Sequence, residues 1–158
     1  MPPRLAPASR TRNRLRLIVG LCALLTLASL CEAAPQPYTG TDYSGTYDCK
    51  GQDDHEGPYT GVVTLKLVRA QSTGAYGAYD FKLEVPGYGA YPGQAAGKGN
   101  TLAIHFALTD PSTQDYGTGI AELRRVKGPH GLKWAFRKYY YEPAFKGGNF
   151  GFEDCVQR

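Results

Sequence analysis

Tyr79-Asp80-Phe81-Lys82-Leu83-Glu84-Val85 alternates apolar and charged side chains at every step. A strand sends successive side chains to opposite faces, so Tyr79, Phe81, Leu83 and Val85 are expected inside, with Asp80, Lys82 and Glu84 in water. A helix would scatter the same residues around its circumference. The period recurs on both sides of this stretch. Val63, Leu65 and Leu67 alternate with Thr64 and Lys66; Leu102, Ile104, Phe106 and Leu108 with Ala103, His105 and Ala107; Leu132, Trp134 and Phe136 with Lys133, Ala135 and Arg137. Tyr43, Gly45, Tyr47 and Cys49 share a face near the start, as do Phe150 and Phe152 near the end. Residues 117–125 are less regular, because Ile120 and Leu123 fall on opposite faces.

Turn-forming residues separate the runs: Gly97-Lys98-Gly99-Asn100, Asp110-Pro111-Ser112 and Lys127-Gly128-Pro129-His130-Gly131. No window of helical length shows a 3.6-residue apolar period after residue 33. The expectation is an all-β domain of seven or eight short antiparallel strands, a meander closed into a barrel, or a sandwich.

The first 33 residues read differently. Arg4, Arg10, Arg12, Arg14 and Arg16 precede the apolar run Leu17–Leu30, with no acidic residue before Glu32. A basic segment, a short apolar segment and small residues at Cys31 and Ala33 form the pattern of a secretory signal cut near Ala33. The apolar run falls short of the roughly 20 residues that span a bilayer. Cys31 raises a lipoprotein signal, but Leu30 stands where a small residue is expected. The chain therefore divides into a signal peptide (1–33), a flexible lead-in (34–42) and a β domain (43–158), addressed to the periplasm or the exterior.

Charge follows the same division. The whole chain has 18 Lys and Arg against 14 Asp and Glu, of which the leader holds five and one, leaving 13 of each. The basic excess belongs to the leader, so nucleic acid is not an expected partner. Residues 34–110 carry five basic and eight acidic groups, and residues 111–158 carry eight and five. Arg124, Arg125, Lys127, Lys133, Arg137 and Lys138 gather in a basic C-terminal hairpin, a solvated strand face or a surface for an anionic partner.

Only Cys49 and Cys155 follow the leader. Two cysteines in an exported domain pair with each other, and these lie in the first and last expected strands.

Three stretches bear on function. Asp53, Asp54, His55 and Glu56 gather three carboxylates and an imidazole in a glycine-bounded loop. Such ligands suit a divalent cation, but their spacing matches neither a calcium loop nor a zinc motif, and contiguous charges in a glycine-bounded loop are usually a solvated turn. His105 and His130 read as surface residues, no nucleophile elbow, zinc-protease helix or phosphate loop occurs, and no cofactor is implied. Lys138-Tyr139-Tyr140-Tyr141, followed by Lys146, is the most suggestive. Alternation forces at least one of the three tyrosines off the core, and a tyrosine beside a cation suits sugar or protein recognition. Lys138, Tyr139, Tyr140, Tyr141 and Lys146 are therefore the expected ligand-binding residues. A tyrosine-rich outer strand is the plainer account.

Tyr47-Asp48-Cys49 and the terminal Cys155-Val156-Gln157-Arg158 resemble the small periplasmic inhibitors of c-type lysozyme. Ser72-Thr73-Gly74-Ala75-Tyr76 looks like that family's inhibitory loop, with Ala75 where a basic residue is expected, and its lysine-glycine motif does not follow Trp134. The resemblance implies a compact barrel closed by the terminal cysteines. Gly45, Tyr47, Cys49 and Gly51 also look like the start of small exported proteobacterial proteins of unknown function. The expected function is an exported non-catalytic binding module for a cell-wall glycan or an exported protein. Inhibition of a lysozyme-like hydrolase is the alternative, and a metal-binding protein or metal-dependent enzyme the third.

Overall fold

The computed structural model describes residues 36–158, and the signal-peptide reading of residues 1–33 lies outside them. Eight strands follow one another: β1 (Gly45–Asp53), β2 (Gly57–Leu67), β3 (Tyr76–Val85), β4 (Gly89–Lys98), β5 (Thr101–Ala107), β6 (Tyr116–Gly128), β7 (Gly131–Glu142) and β8 (Asn149–Gln157). Each pairs antiparallel with the next, and β8 returns to β1, so the meander closes into a barrel rather than a sandwich. Closure leaves no unpaired strand edge. Short 3-10 turns occupy Arg69–Gln71, Pro111–Thr113 and Phe145–Gly147. Asp110 caps the second, its carboxylate accepting the Ser112 N–H at 2.9 Å.

The alternating runs of β2, β3 and β5 become barrel wall with their expected faces inward, whereas Leu132 at the start of β7 is exposed and the face shared by Phe150 and Phe152 points outward, because Cys155 and Glu153 take the inward phase of β8. Val63, Leu65, Phe81, Leu83, Leu102, Ile104, Phe106 and Phe136 are buried together, and Tyr47 packs on Phe136 with ring centroids 5.2 Å apart. Strand β4 carries no such alternation. Its inward positions after Tyr91 are Gly93, Ala95 and Gly97, because large side chains from β3 and β5 already fill that sector. A Cβ at Gly93 would lie 1.9 Å from the His105 carbonyl oxygen, so the backbones there approach too closely for any side chain.

Cys49 and Cys155 are direct partners in the β1–β8 register and are joined by a disulfide, which fastens the seam where the barrel closes. Residues 36–42, the described part of the expected lead-in, lie along the β2–β3 end of the barrel. Thr39 N–H donates to the Gly74 carbonyl at 2.8 Å, and Tyr38 Oη lies 3.2 Å from Tyr79 Oη. Tyr43 is buried, its ring edge-on to Trp134 with centroids 4.8 Å apart. A cavity of ≈ 180 Å³ at this end is lined by Tyr38, Thr41, Tyr43, Tyr79 and Gly97. At the opposite end, where β1–β2, β3–β4, β5–β6 and β7–β8 are joined, a second cavity opens among Asp53, Asp115, Glu142 and aromatic rings.

Candidate functional site

Strand parity divides the aromatic segment of β7. Tyr140 points inward and is buried, while Tyr139 and Tyr141 point outward, more than 40% exposed. Lys138 points inward as well, which removes it from the surface site expected beside the tyrosines. Its phase is that of Phe136, and the barrel interior claims both. Lys146 lies on the β7–β8 connection, exposed and bound to Glu56, away from the outer tyrosines' strand face.

On the outside, register completes what sequence separation hides. Tyr139 faces Phe152 across the β7–β8 ladder and Ile120 across β6–β7, while Tyr141 faces Phe150. All five side chains are at least 40% exposed. Tyr139 and Phe152 pack with centroids 5.4 Å apart, and the Arg137 guanidinium sits 4.9 Å from the Phe152 centroid. Gln52, opposite Phe152 on β1, and Thr118, opposite Tyr141 on β6, put an amide and a hydroxyl at the ends of these rows. The result is a flat aromatic strip with one cation and polar edges, carried on rigid strands.

Inside, side chains in phase with the core but polar converge on the open end. Lys138 and Glu153 are cross-strand partners, Nζ to Oε2 2.7 Å, with side chains 1% and 0% exposed. The Lys138 ammonium also lies 5.2–5.3 Å from the ring centres of Phe81, Phe106 and Tyr140. Tyr59 donates to Glu153 Oε1 at 3.0 Å, and burial pushes its hydroxyl pKa far upward. Nearer the mouth, Tyr140 and Asn149 both donate to Asp53 Oδ2 at 2.8 Å, and Asn149 also donates to Glu142. Tyr91 donates to Asp115 Oδ2 at 2.9 Å. A Cβ at Gly151 would sit 2.4 Å from the Tyr140 hydroxyl, so glycine is what admits that ring.

The carboxyls at this end do not titrate alike. Burial pushes Asp53 upward, but the Glu56 and His55 backbone N–H groups, Asn149 and Tyr140 together outweigh it and hold Asp53 below its ordinary value. Asp115 and Glu142 have fewer donors. Burial, aided by neighbouring carboxylates, raises both, and Glu142 is pushed up to about 7. A cavity of ≈ 50 Å³ opens among these groups, lined by Asp53, Asp115, Glu142, Tyr91 and Phe106 and flanked at the mouth by Tyr88, Phe145 and Glu56.

The four side chains weighed as metal ligands go separate ways. Asp53 turns inward, Asp54 is exposed, His55 Nε2 lies 3.0 Å from the Gly148 carbonyl, and Glu56 binds Lys146 and the Tyr88 hydroxyl. Among the described residues, the single cluster with metal-ligand spacing is Cys49, Glu153 and Cys155, whose sulfurs are consumed in the disulfide. In the segment likened to an inhibitory loop, Ser72 is buried. Its hydroxyl donates to the Val68 carbonyl and accepts the Ala78 N–H.

Fold and site define a disulfide-closed, eight-stranded meander barrel with a buried Lys138–Glu153 pair inside and an aromatic strip outside. Compared with protein-family models, curated proteins and solved structures, the chain finds no match.

Proposed function

We propose that the protein is an exported, non-catalytic binding module that docks a cell-wall glycan on the outer strip formed by Tyr139, Tyr141, Phe150 and Phe152. The observation that carries this reading is the register of β7 and β8, which sets two tyrosines opposite two phenylalanines on an exposed face. A sugar ring presents an apolar face and a hydroxyl edge. Flat rings with phenolic tips, flanked by Gln52, Thr118 and Arg137, offer the matching surfaces. Rigid strand-borne aromatics lose little conformational entropy on binding. A disulfide fits the oxidising side of a membrane, which supports the exported address. Among the described residues no helix is long and apolar enough to cross a membrane.

The test is a pull-down of the purified protein on insoluble peptidoglycan and on soluble anionic glycans, with single substitutions Tyr139→Ala, Phe152→Ala and Tyr140→Ala. Binding is expected to weaken by about 2 kcal/mol for the two outward residues, with melting temperature nearly unchanged. Tyr140→Ala should lower stability instead. If the outward substitutions leave retention intact, the strip is not the binding surface. A lysozyme activity assay run in parallel tests the inhibitor alternative: dose-dependent inhibition of a c-type lysozyme would replace the glycan reading.

A further inference from the structure

We propose that the far end of the β6–β7 hairpin is a membrane-docking arm, which sets Arg124, Arg125, Lys127 and Lys133 among the headgroups of an anionic phospholipid surface and places Leu132 at its apolar boundary. The arm is separate from the aromatic strip, and the proposal does not rest on glycan binding.

Strand register shows the arm leaving the barrel. Strand β6 pairs with β5 as far as Glu122 opposite Thr101, with one further hydrogen bond from the Leu123 N–H to the Asn100 carbonyl at 2.7 Å. Strand β7 pairs with β8 as far as Ala135 opposite Val156. Beyond those points β6 and β7 pair only with each other, Val126 with Lys133, Lys127 with Leu132 and Gly128 with Gly131. Residues 124–133 hold four Lys and Arg, one histidine and no acidic residue. Among the described residues, none of the four cations lies within ion-pair distance of a carboxylate. Residues 36–158 carry 13 charges of each sign, so the domain outside the arm keeps nine cations against 13 anions. Such a charge separation turns the arm toward a negative surface and the rest of the protein away from it.

The faces of the arm select the kind of partner. Residues directly opposite in an antiparallel pair share a face. One face carries Arg125 and Lys127 beside Trp134 and Leu132, continuing the phase of the buried Leu123 and Phe136 past the barrel rim. Arg125 covers Trp134, its guanidinium carbon 4.5 Å from the ring centroid, whereas Leu132 is 60% exposed. The other face carries Arg124 and Lys133 beside Val126. Cations on both faces suit a partner that surrounds the arm, as a layer of phosphate headgroups does. A rigid protein groove meets one face only. Leu132 narrows the choice again: a soluble polyanion offers it nothing apolar, while the boundary between headgroups and acyl chains does.

The experiment is co-sedimentation of the purified exported protein with vesicles of equal parts phosphatidylglycerol and phosphatidylcholine. Vesicles of phosphatidylcholine alone and competition by soluble polyphosphate are the comparisons. Retention on the mixed vesicles is expected, lost at high salt and absent on phosphatidylcholine. Arg124→Gln and Lys127→Gln, one from each face, should each weaken it by about fivefold. Leu132→Ser should weaken it by roughly tenfold with the melting temperature unchanged. Tyr139→Ala, on the aromatic strip, should sediment as the parent does. No retention, equal retention on both vesicle types, or dependence on the cation of one face only overturns the proposal. So does polyphosphate competition combined with unchanged retention of Leu132→Ser, which would assign the arm to a soluble polyanion.

Discussion

Lys138 and Glu153 stand directly opposite each other on β7 and β8, inside the barrel, with Nζ 2.7 Å from Oε2 and neither side chain in contact with solvent. A buried pair of this kind is held by mutual attraction against a large desolvation cost, so its halves are not independent. Lys138→Met leaves Glu153 buried without its cation and should destabilise the protein by about 3–5 kcal/mol. The double replacement Lys138→Met with Glu153→Leu should recover most of that loss. Chemical denaturation of the two singles and the double measures the coupling, and additive losses would show that the pair is not the unit described.

The disulfide makes a second test. Cys49 and Cys155 are 106 residues apart in sequence and adjacent at the barrel seam. Removing the bond frees the unfolded chain and should cost about 2–5 kcal/mol. The protein should weigh two hydrogens less before reduction than after, and Cys155→Ala should melt well below the parent. Two thiols open to alkylation in the native protein would contradict the seam.

Glu142 gives the pH dependence a definite sign. Its folded pKa of about 7 lies above its ordinary value of 4.5, so the folded state holds the proton more tightly than the unfolded chain. The associated stability is complete below pH 4.5 and is lost as pH rises through about 7, an effect on the order of 3 kcal/mol. Asp53 works in the opposite sense: held below 3.8, it contributes above that value and loses its contribution as pH falls. Glu142→Gln supplies permanently the N–H that the protonated acid offers Asp115. Melting curves should show Glu142→Gln more stable than the parent near pH 8 and equal to it near pH 4.5. Parallel profiles for the two proteins would remove Glu142 as the cause.

Alternation by itself determined the fold class. Six runs of period two, turn residues between them and two cysteines near the ends of the domain are enough for an antiparallel all-β domain tied at its ends. Alternation also carried the inside–outside phase, because Cys49 fixes Asp53, Phe136 fixes Lys138, Tyr140 and Glu142, and Cys155 fixes Glu153 and Asn149. That phase was the available signal for the polar interior. It was masked in the β7 segment by three consecutive tyrosines, which draw the eye to a single surface. Strand β4 had no such signal, since close backbone approach to β5 requires glycine at Gly93 and small residues beside it. Closure into a barrel depended on β8 pairing with β1, a contact between chain ends that no local pattern encodes. Register, likewise, is a relation between strands. Only the folded structure sets Lys138 against Glu153, gathers Asp53, Asp115 and Glu142 at one mouth, and aligns Tyr139 with Phe152, because each meeting joins residues whose separation in sequence says nothing about their distance in space.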